Sequence, residues 1–84
     1  MTFYSYIAAS RRNGTLYIGS TDDLVRRIEE HREYLVWYEV FETREDAFRR
    51  ERRLKEWRRS WKLMLIEAGN PTWRDLSRDL NLNA

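Results

Sequence analysis

Leu16–His31 reads LYIGSTDDLVRRIEEH, and the rest of the chain is organised around it. Leu16–Gly19 is a short aromatic and β-branched run of the kind that forms a strand. The pattern then changes period, and Leu24, Val25 and Ile28 fall on one narrow stripe of a helix at 3.6 residues per turn. A Gly19-Ser20-Thr21 corner joins the two. Ser20 or Thr21 is expected to cap the helix, with Asp22 and Asp23 in its first turn, where they complement the dipole. Arg27 and His31, one turn apart, lie along one edge of the apolar stripe, while Arg26, Glu29 and Glu30 project elsewhere. Tyr17, Arg27 and His31 have no evident packing role, so the stretch reads as the floor of an active site.

Upstream, FYSYIAA (3–9) predicts a strand with Phe3, Ser5 and Ile7 on one face and Tyr4, Tyr6 and Ala8 on the other. Asn13-Gly14 predicts a type I′ hairpin, both residues tolerating positive φ, which lays that strand beside Thr15–Gly19 and brings Tyr6 near Tyr17. Downstream, Arg32-Glu33-Tyr34 feeds directly into a third strand, LVWYEVFE (35–42). Thr43 with Asp46 marks the start of a helix from Arg44 to about Arg59, with Ala47, Leu54, Trp57 and Trp61 on its buried face and Phe48 at the side. Ser60 is expected to cap a further helix, WKLMLIEA, closed by Gly69 at C′. Asn70-Pro71 is a turn, and WRDLSRDL adds one or two helical turns that lay Trp73 and Leu76 on the core. This order predicts an α+β fold, a small three-stranded antiparallel sheet packed with three or more helices. It is expected as a single domain over 1–78, with 79–84 a C-terminal tail.

Eighty-four residues make one domain, not two. Charged residues reach 36%, so the core is small, and the large rings are expected to fill much of it. The absence of cysteine excludes disulfides and thiolate zinc sites, and one histidine excludes an all-His metal site in a monomer. No segment has the length of a membrane span and no basic n-region opens the chain, so a cytoplasmic protein, a monomer or weak dimer with no membrane partner, is the expectation. Net charge is only +2, yet the sixteen bases are mostly arginine and bunched, which suits a phosphate-bearing partner. Arg49, Arg52 and Arg53 crowd the exposed face of the second helix. Together with Lys55, Arg58 and Arg59 they are candidates to hold nucleic-acid backbone phosphates. Glu51 falls inside the buried stripe of the same helix. An unpaired buried carboxylate is costly, so Glu51 either opens into a cleft or has a cation beside it.

Each of these residues also has a bland reading. Strand tyrosines usually pack, Arg27 can pair with Asp23 or Glu30 at helical spacing, and Glu51 can pair with a neighbouring arginine.

Taken together, the spacing resembles one family. Tyr4-Ser5-Tyr6, then Tyr17-Ile18-Gly19 eleven residues after Tyr6, then Arg27 and His31, look like the GIY-YIG endonuclease domain. Ala47, the run from Arg50 to Lys55, Trp57, Asn70-Pro71 and Trp73 are similar to stand-alone, single-domain bacterial members. The resemblance implies a metal-dependent endonuclease hydrolysing phosphodiester bonds of nucleic acid, with DNA of repair or recombination type the first expectation. It implies Glu51 as the ligand of Mg²⁺ or Mn²⁺, and Tyr6 and Tyr17 as the tyrosines that orient or activate the attacking water. Arg27 becomes the arginine that stabilises charge on the phosphate, His31 a position near water or phosphate, and Gly19 the motif glycine. Two departures stand out: the first motif reads Tyr4-Ser5-Tyr6, so that Ser5 stands before the tyrosine and the glycine is absent, and the family's longer basic and aromatic connector after His31 is shortened, removing one wall of the expected groove. The alternative is a catalytically weak nucleic-acid-binding module on the same fold.

Overall fold

The computed structural model describes residues 1–81. Its elements run β1 (Phe3–Ala9), β2 (Leu16–Thr21), α1 (Leu24–His31), β3 (Tyr34–Phe41), α2 (Arg44–Glu56), α3 (Arg59–Gly69) and α4 (Ser77–Asn81). The three strands form one antiparallel sheet in the order β2-β1-β3, as expected from the alternating runs. Helix α4 takes in residues 79–81, which were expected in the tail; 82–84 lie outside the described residues.

β1 is the central strand, and that is why Ser5 through Ala9 are all buried. Its alternation feeds two cores. Tyr6 and Ala8 pack with Leu24 and Ile28 of α1 and with Leu35, while Ile7 and Ala9 pack on the other face with Val36, Ile66 of α3 and Trp73. A register shift between Ile7 and Ala8 puts Trp37 opposite Ile7 but Leu35 opposite Ala8, leaving Val36 as the extra residue. The bulge sends Leu35 to one core and both Val36 and Trp37 to the other. Ile7, Leu35, Leu54 and Ile66 are fully buried, each contributing about 1.5–3 kcal/mol of transfer free energy.

α2 crosses the Ile7 face. Thr43 caps it, accepting from the Asp46 N–H at 3.2 Å, and the Ser5 hydroxyl donates to the Ala47 carbonyl at 2.6 Å. Ser5, the residue before Tyr6, thus ties the central strand to the helix. The C-terminal segment is fixed to β3 by Leu76 N–H to Leu35 O at 2.8 Å, and by Leu35 N–H to the Asp75 carboxylate at 3.1 Å.

Four local expectations are corrected. The hairpin is not a two-residue type I′ turn: only Asn13 has positive φ (58°), and Arg11 O accepts from the Gly14 N–H at 2.9 Å in a four-residue loop. Gly14 is there for space, since a Cβ would lie 2.5 Å from the Ser10 hydroxyl. α1 begins later than expected: Asp23 itself is the N-cap, accepting from the Arg26 N–H at 3.2 Å, with Thr21 bonded to the Asp23 N–H. α2 ends at Glu56, because Trp57 and Arg58 are extended and α3 starts afresh at Arg59 with no side-chain cap. Trp57 turns back to pack on Arg50, whose guanidinium lies over both Trp57 and Trp37 and pairs with Glu39 at 3.0 Å. Trp61 consequently belongs to α3 and is 48% exposed rather than buried. Finally, Gly69 is the last residue of α3 and Asn70 its C-cap.

Candidate active site

Alternate residues of β2 point to opposite faces of the sheet, and β2 is an edge strand. Tyr17 and Gly19 therefore face α1, with Tyr6 opposite Gly19 and Ala8 opposite Tyr17 across the β1–β2 ladder. Gly19 is small because Tyr6 lies across it. A Cβ there would come within 2.6 Å of the Tyr6 hydroxyl and 2.8 Å of the ring carbon that carries it. The glycine's φ is not positive, so clearance over the strand is its role.

Carried over Gly19, the Tyr6 hydroxyl accepts a hydrogen bond from Arg27 Nε at 3.2 Å. The competing pairs for Arg27 are taken by its neighbour: Arg26 pairs with Glu30 at 3.0 Å, and its N–H is capped by Asp23. Among the described residues the terminal nitrogens of Arg27 make no hydrogen bond. Its pKa is raised above the ordinary arginine value, first by the bond to the Tyr6 oxygen and the charge that oxygen can carry, then by Glu30 and Glu51. Tyr6, Tyr17, Arg27 and His31 line one cleft with Ala8, Ile28 and Glu33. Four of the candidate side chains thus share this cleft, and Glu51 does not line it. Tyr6 is buried while Tyr17 is 46% exposed, so the cleft has a fixed phenol and an accessible one.

Glu51 reaches the same strand from the other face. Only 9% exposed, it accepts from the Ser20 hydroxyl at 2.6 Å through Oε1, and Oε2 pairs with Lys55 Nζ at 2.8 Å. It is close enough to raise the Arg27 pKa across the β2 edge. Its cation is a lysine one turn along its own helix, not an arginine. Among the described residues no three His, Cys, Asp or Glu side chains gather in a metal-binding group. The donor set therefore suits only a hard divalent cation held by one carboxylate, water and a ligand's own oxygens, which is the habit of Mg²⁺.

The six basic candidates diverge. Arg49, Arg52 and Arg53 line a shallow cleft on the outer face of α2 with Glu45, Phe48 and Glu56. Arg49 pairs with Asp46, and Arg52 lies over the Phe48 ring. Arg58 stacks on Trp61 at 4.6 Å. Lys55 is committed to Glu51, and Arg59 donates to the Asn13 and Gly14 carbonyls at 2.8 Å each, holding the hairpin. Sequence reasoning missed Ser20 and Glu33. Ser20 was readable as the residue facing opposite Gly19 on β2; Glu33 depends on how the chain leaves α1. Arg32 caps that helix in the left-handed conformation (φ 53°), and the two-residue turn directs Glu33 into the cleft.

The chain is similar to known proteins in sequence and in fold. Residues 2–35 match the family model of the GIY-YIG catalytic domain, a span that takes in Tyr6, Tyr17, Gly19, Arg27 and His31. A UPF0213 protein of Staphylococcus saprophyticus is 33% identical over 79 aligned residues, covering 79% of this chain and 95% of the relative. The solution NMR structure of a UPF0213 protein from Bacillus halodurans superposes with a TM-score of 0.62 at 27% identity, over 89% of this chain and 93% of that one.

Proposed function

The chain belongs to the GIY-YIG family, and on that premise we propose that it is an endonuclease hydrolysing phosphodiester bonds of nucleic acid. DNA is the substrate in this reading, in a process of repair or recombination type, and the place of action is the cytoplasm. Among the described residues no helix is long and apolar enough to cross a membrane. The observation that carries the reading is the Gly19–Tyr6–Arg27 unit: a glycine cleared for a phenol, and a phenol that aims an arginine.

Glu51 is the residue that would hold Mg²⁺ or Mn²⁺, with Ser20 orienting its carboxylate. Such an ion supplies charge neutralisation at the phosphate and the departing oxygen. The rest is the work of the chain. Arg27, held by its Nε bond to Tyr6, turns its terminal nitrogens to the phosphate oxygens and stabilises charge that grows as water attacks phosphorus. Because Tyr6 accepts from Arg27, its own O–H is directed away from that bond, toward water or a phosphate oxygen. The accessible Tyr17 accepts a hydrogen bond from the attacking water on the same face and relays its proton to bulk water through its own O–H. His31 lines the cleft beside Tyr17 and Arg27, where its ring nitrogens can hydrogen-bond water or a phosphate oxygen.

A second reading, a binding module with little catalysis, draws on the Glu51 carboxylate being already satisfied by Ser20 and Lys55. A labelled branched DNA incubated with Mg²⁺, Mn²⁺ or EDTA separates the two. The nuclease cuts with either ion and stops in EDTA. Binding with a steep salt slope and no cutting under any ion belongs to the module.

A further inference from the structure

Glu51 is a carboxylate almost withdrawn from solvent, and such a group needs a counter-charge whenever it is ionised. The two atoms that satisfy it differ in kind. Ser20 is fixed on β2 and short. Lys55 has four methylenes, is 56% exposed along its side chain, and has room to swing away. The other bases of α2 point elsewhere: Arg50 to Glu39, Arg49 to Asp46, Arg52 over Phe48. The residue type is also informative. Only two of the sixteen bases are lysine, Lys55 and Lys62, in a chain that otherwise uses arginine. An arginine fork would bind a carboxylate in two places and resist displacement, whereas an ammonium is a single point charge.

We propose that Lys55 is the resident counter-ion of Glu51, occupying the carboxylate in the resting protein and yielding it to a divalent cation in competition. The proposal rests on the reading of Glu51 as the metal-holding residue and adds how that site is kept and loaded. Lys55 keeps the buried carboxylate neutralised, so the fold does not depend on metal. A divalent ion has to displace the ammonium from Oε2, which weakens its apparent affinity. A bound phosphate offers the released ammonium a new partner, so nucleic acid and metal favour each other's binding. Lys55 is thus a positioning residue for Glu51 rather than a fixed phosphate contact.

The test is Mn²⁺ titration, followed by the electron paramagnetic resonance of free Mn²⁺, on the wild type and on Lys55→Met, Lys55→Arg, Arg52→Met and Glu51→Gln. Lys55→Met keeps the stem and removes the competitor, and is expected to tighten Mn²⁺ binding about fivefold, the upper range for one partly exposed ion pair. Lys55→Arg keeps a competing cation, and Arg52→Met removes a nearby charge that does not touch Glu51. Lys55→Arg, whose fork resists displacement, is expected to bind Mn²⁺ no more tightly than wild type, and Arg52→Met to stay within roughly twofold of it, a change too small to register as loss of an ion pair. Melting gives an independent reading. Lys55→Met melts below wild type without metal, and Mn²⁺ restores it by a larger increment than it adds to wild type. Equal tightening in Lys55→Met and Arg52→Met, or none in Lys55→Met while Glu51→Gln loses the site, overturns the proposal and leaves Glu51 as the ligand. Mn²⁺ binding unaffected by Glu51→Gln overturns the metal reading together with the proposal.

Discussion

At the scale of single residues, the site depends on one missing side chain. Gly19 lets the Tyr6 ring cross β2, and the hydroxyl so placed is the one that Arg27 meets at 3.2 Å. Gly19→Ala has to push against the buried Tyr6 ring and its hydroxyl. It is expected to destabilise the fold by about 1–3 kcal/mol, as overpacking does, and to abolish the Tyr6–Arg27 bond. Urea unfolding reads the first effect and cleavage of branched DNA the second. Tyr6→Phe keeps the ring and loses only the hydroxyl, so it should unfold close to wild type while cutting slowly. Equal stability losses in both variants would mean that the hydroxyl holds the fold together and does not serve only to aim Arg27. The tyrosines, Arg27, His31 and Gly19 were legible because local spacing fixes them: strand alternation sets Tyr6 and Tyr17, and one helical turn sets Arg27 and His31. Ser20 was passed over because its partner lies thirty-one residues away on α2.

At the scale of elements, the strands and helices followed their periodicities, and the junctions did not. The Asn-Gly signal at 13–14 promised the tightest hairpin, yet Arg59 reaches the Asn13 and Gly14 carbonyls and holds a wider loop. α2 breaks at Trp57 with neither proline nor glycine to mark it, because Arg50 offers the ring a better contact than the next helical turn. Such breaks come from tertiary contacts, which local propensity does not encode. The turn after α3 shows the opposite case, a single side chain doing the work of a loop. Asn70 is buried, donates from Nδ2 to the Val36 and Arg74 carbonyls at 3.2 and 2.9 Å, and accepts from the Arg74 N–H at 3.1 Å. It holds the segment bearing Trp73 against β3, and Trp73 itself sits at positive φ (57°), donating from Nε1 to Glu67. Asn70→Ala leaves buried backbone groups without partners and is expected to cost roughly 2–3 kcal/mol, measured by thermal or urea unfolding. A loss under about 0.5 kcal/mol, the level of an ordinary surface substitution, would show that the turn holds itself without the amide.

At the scale of the whole molecule, the sheet is covered on both faces and the site wraps its edge. α1 brings Arg27 and His31 to one side of β2, and α2 brings Glu51 to the other. A small domain can in this way set a carboxylate and an arginine within electrostatic reach although they belong to opposite layers. The two-residue turn between His31 and Tyr34 places Glu33 in the cleft, where a longer loop was expected. The order and layering of elements were readable from the alternation of strand and helix patterns. Which face of α2 looked at β2 was not, because a charged residue inside an apolar stripe marks burial without naming its partner. Glu51 is the one carboxylate on which the proposed metal-assisted chemistry depends, so its neutral isostere is the direct test. Glu51→Gln keeps the size of the side chain and its bond from Ser20, and removes the charge. With branched DNA and Mg²⁺, the wild type is expected to cut, and the folded variant to bind the DNA at least as well but cut at least about a hundredfold more slowly, the loss of several kcal/mol of charge stabilisation. Mg²⁺-dependent cutting by Glu51→Gln at the wild-type rate would contradict the site described here.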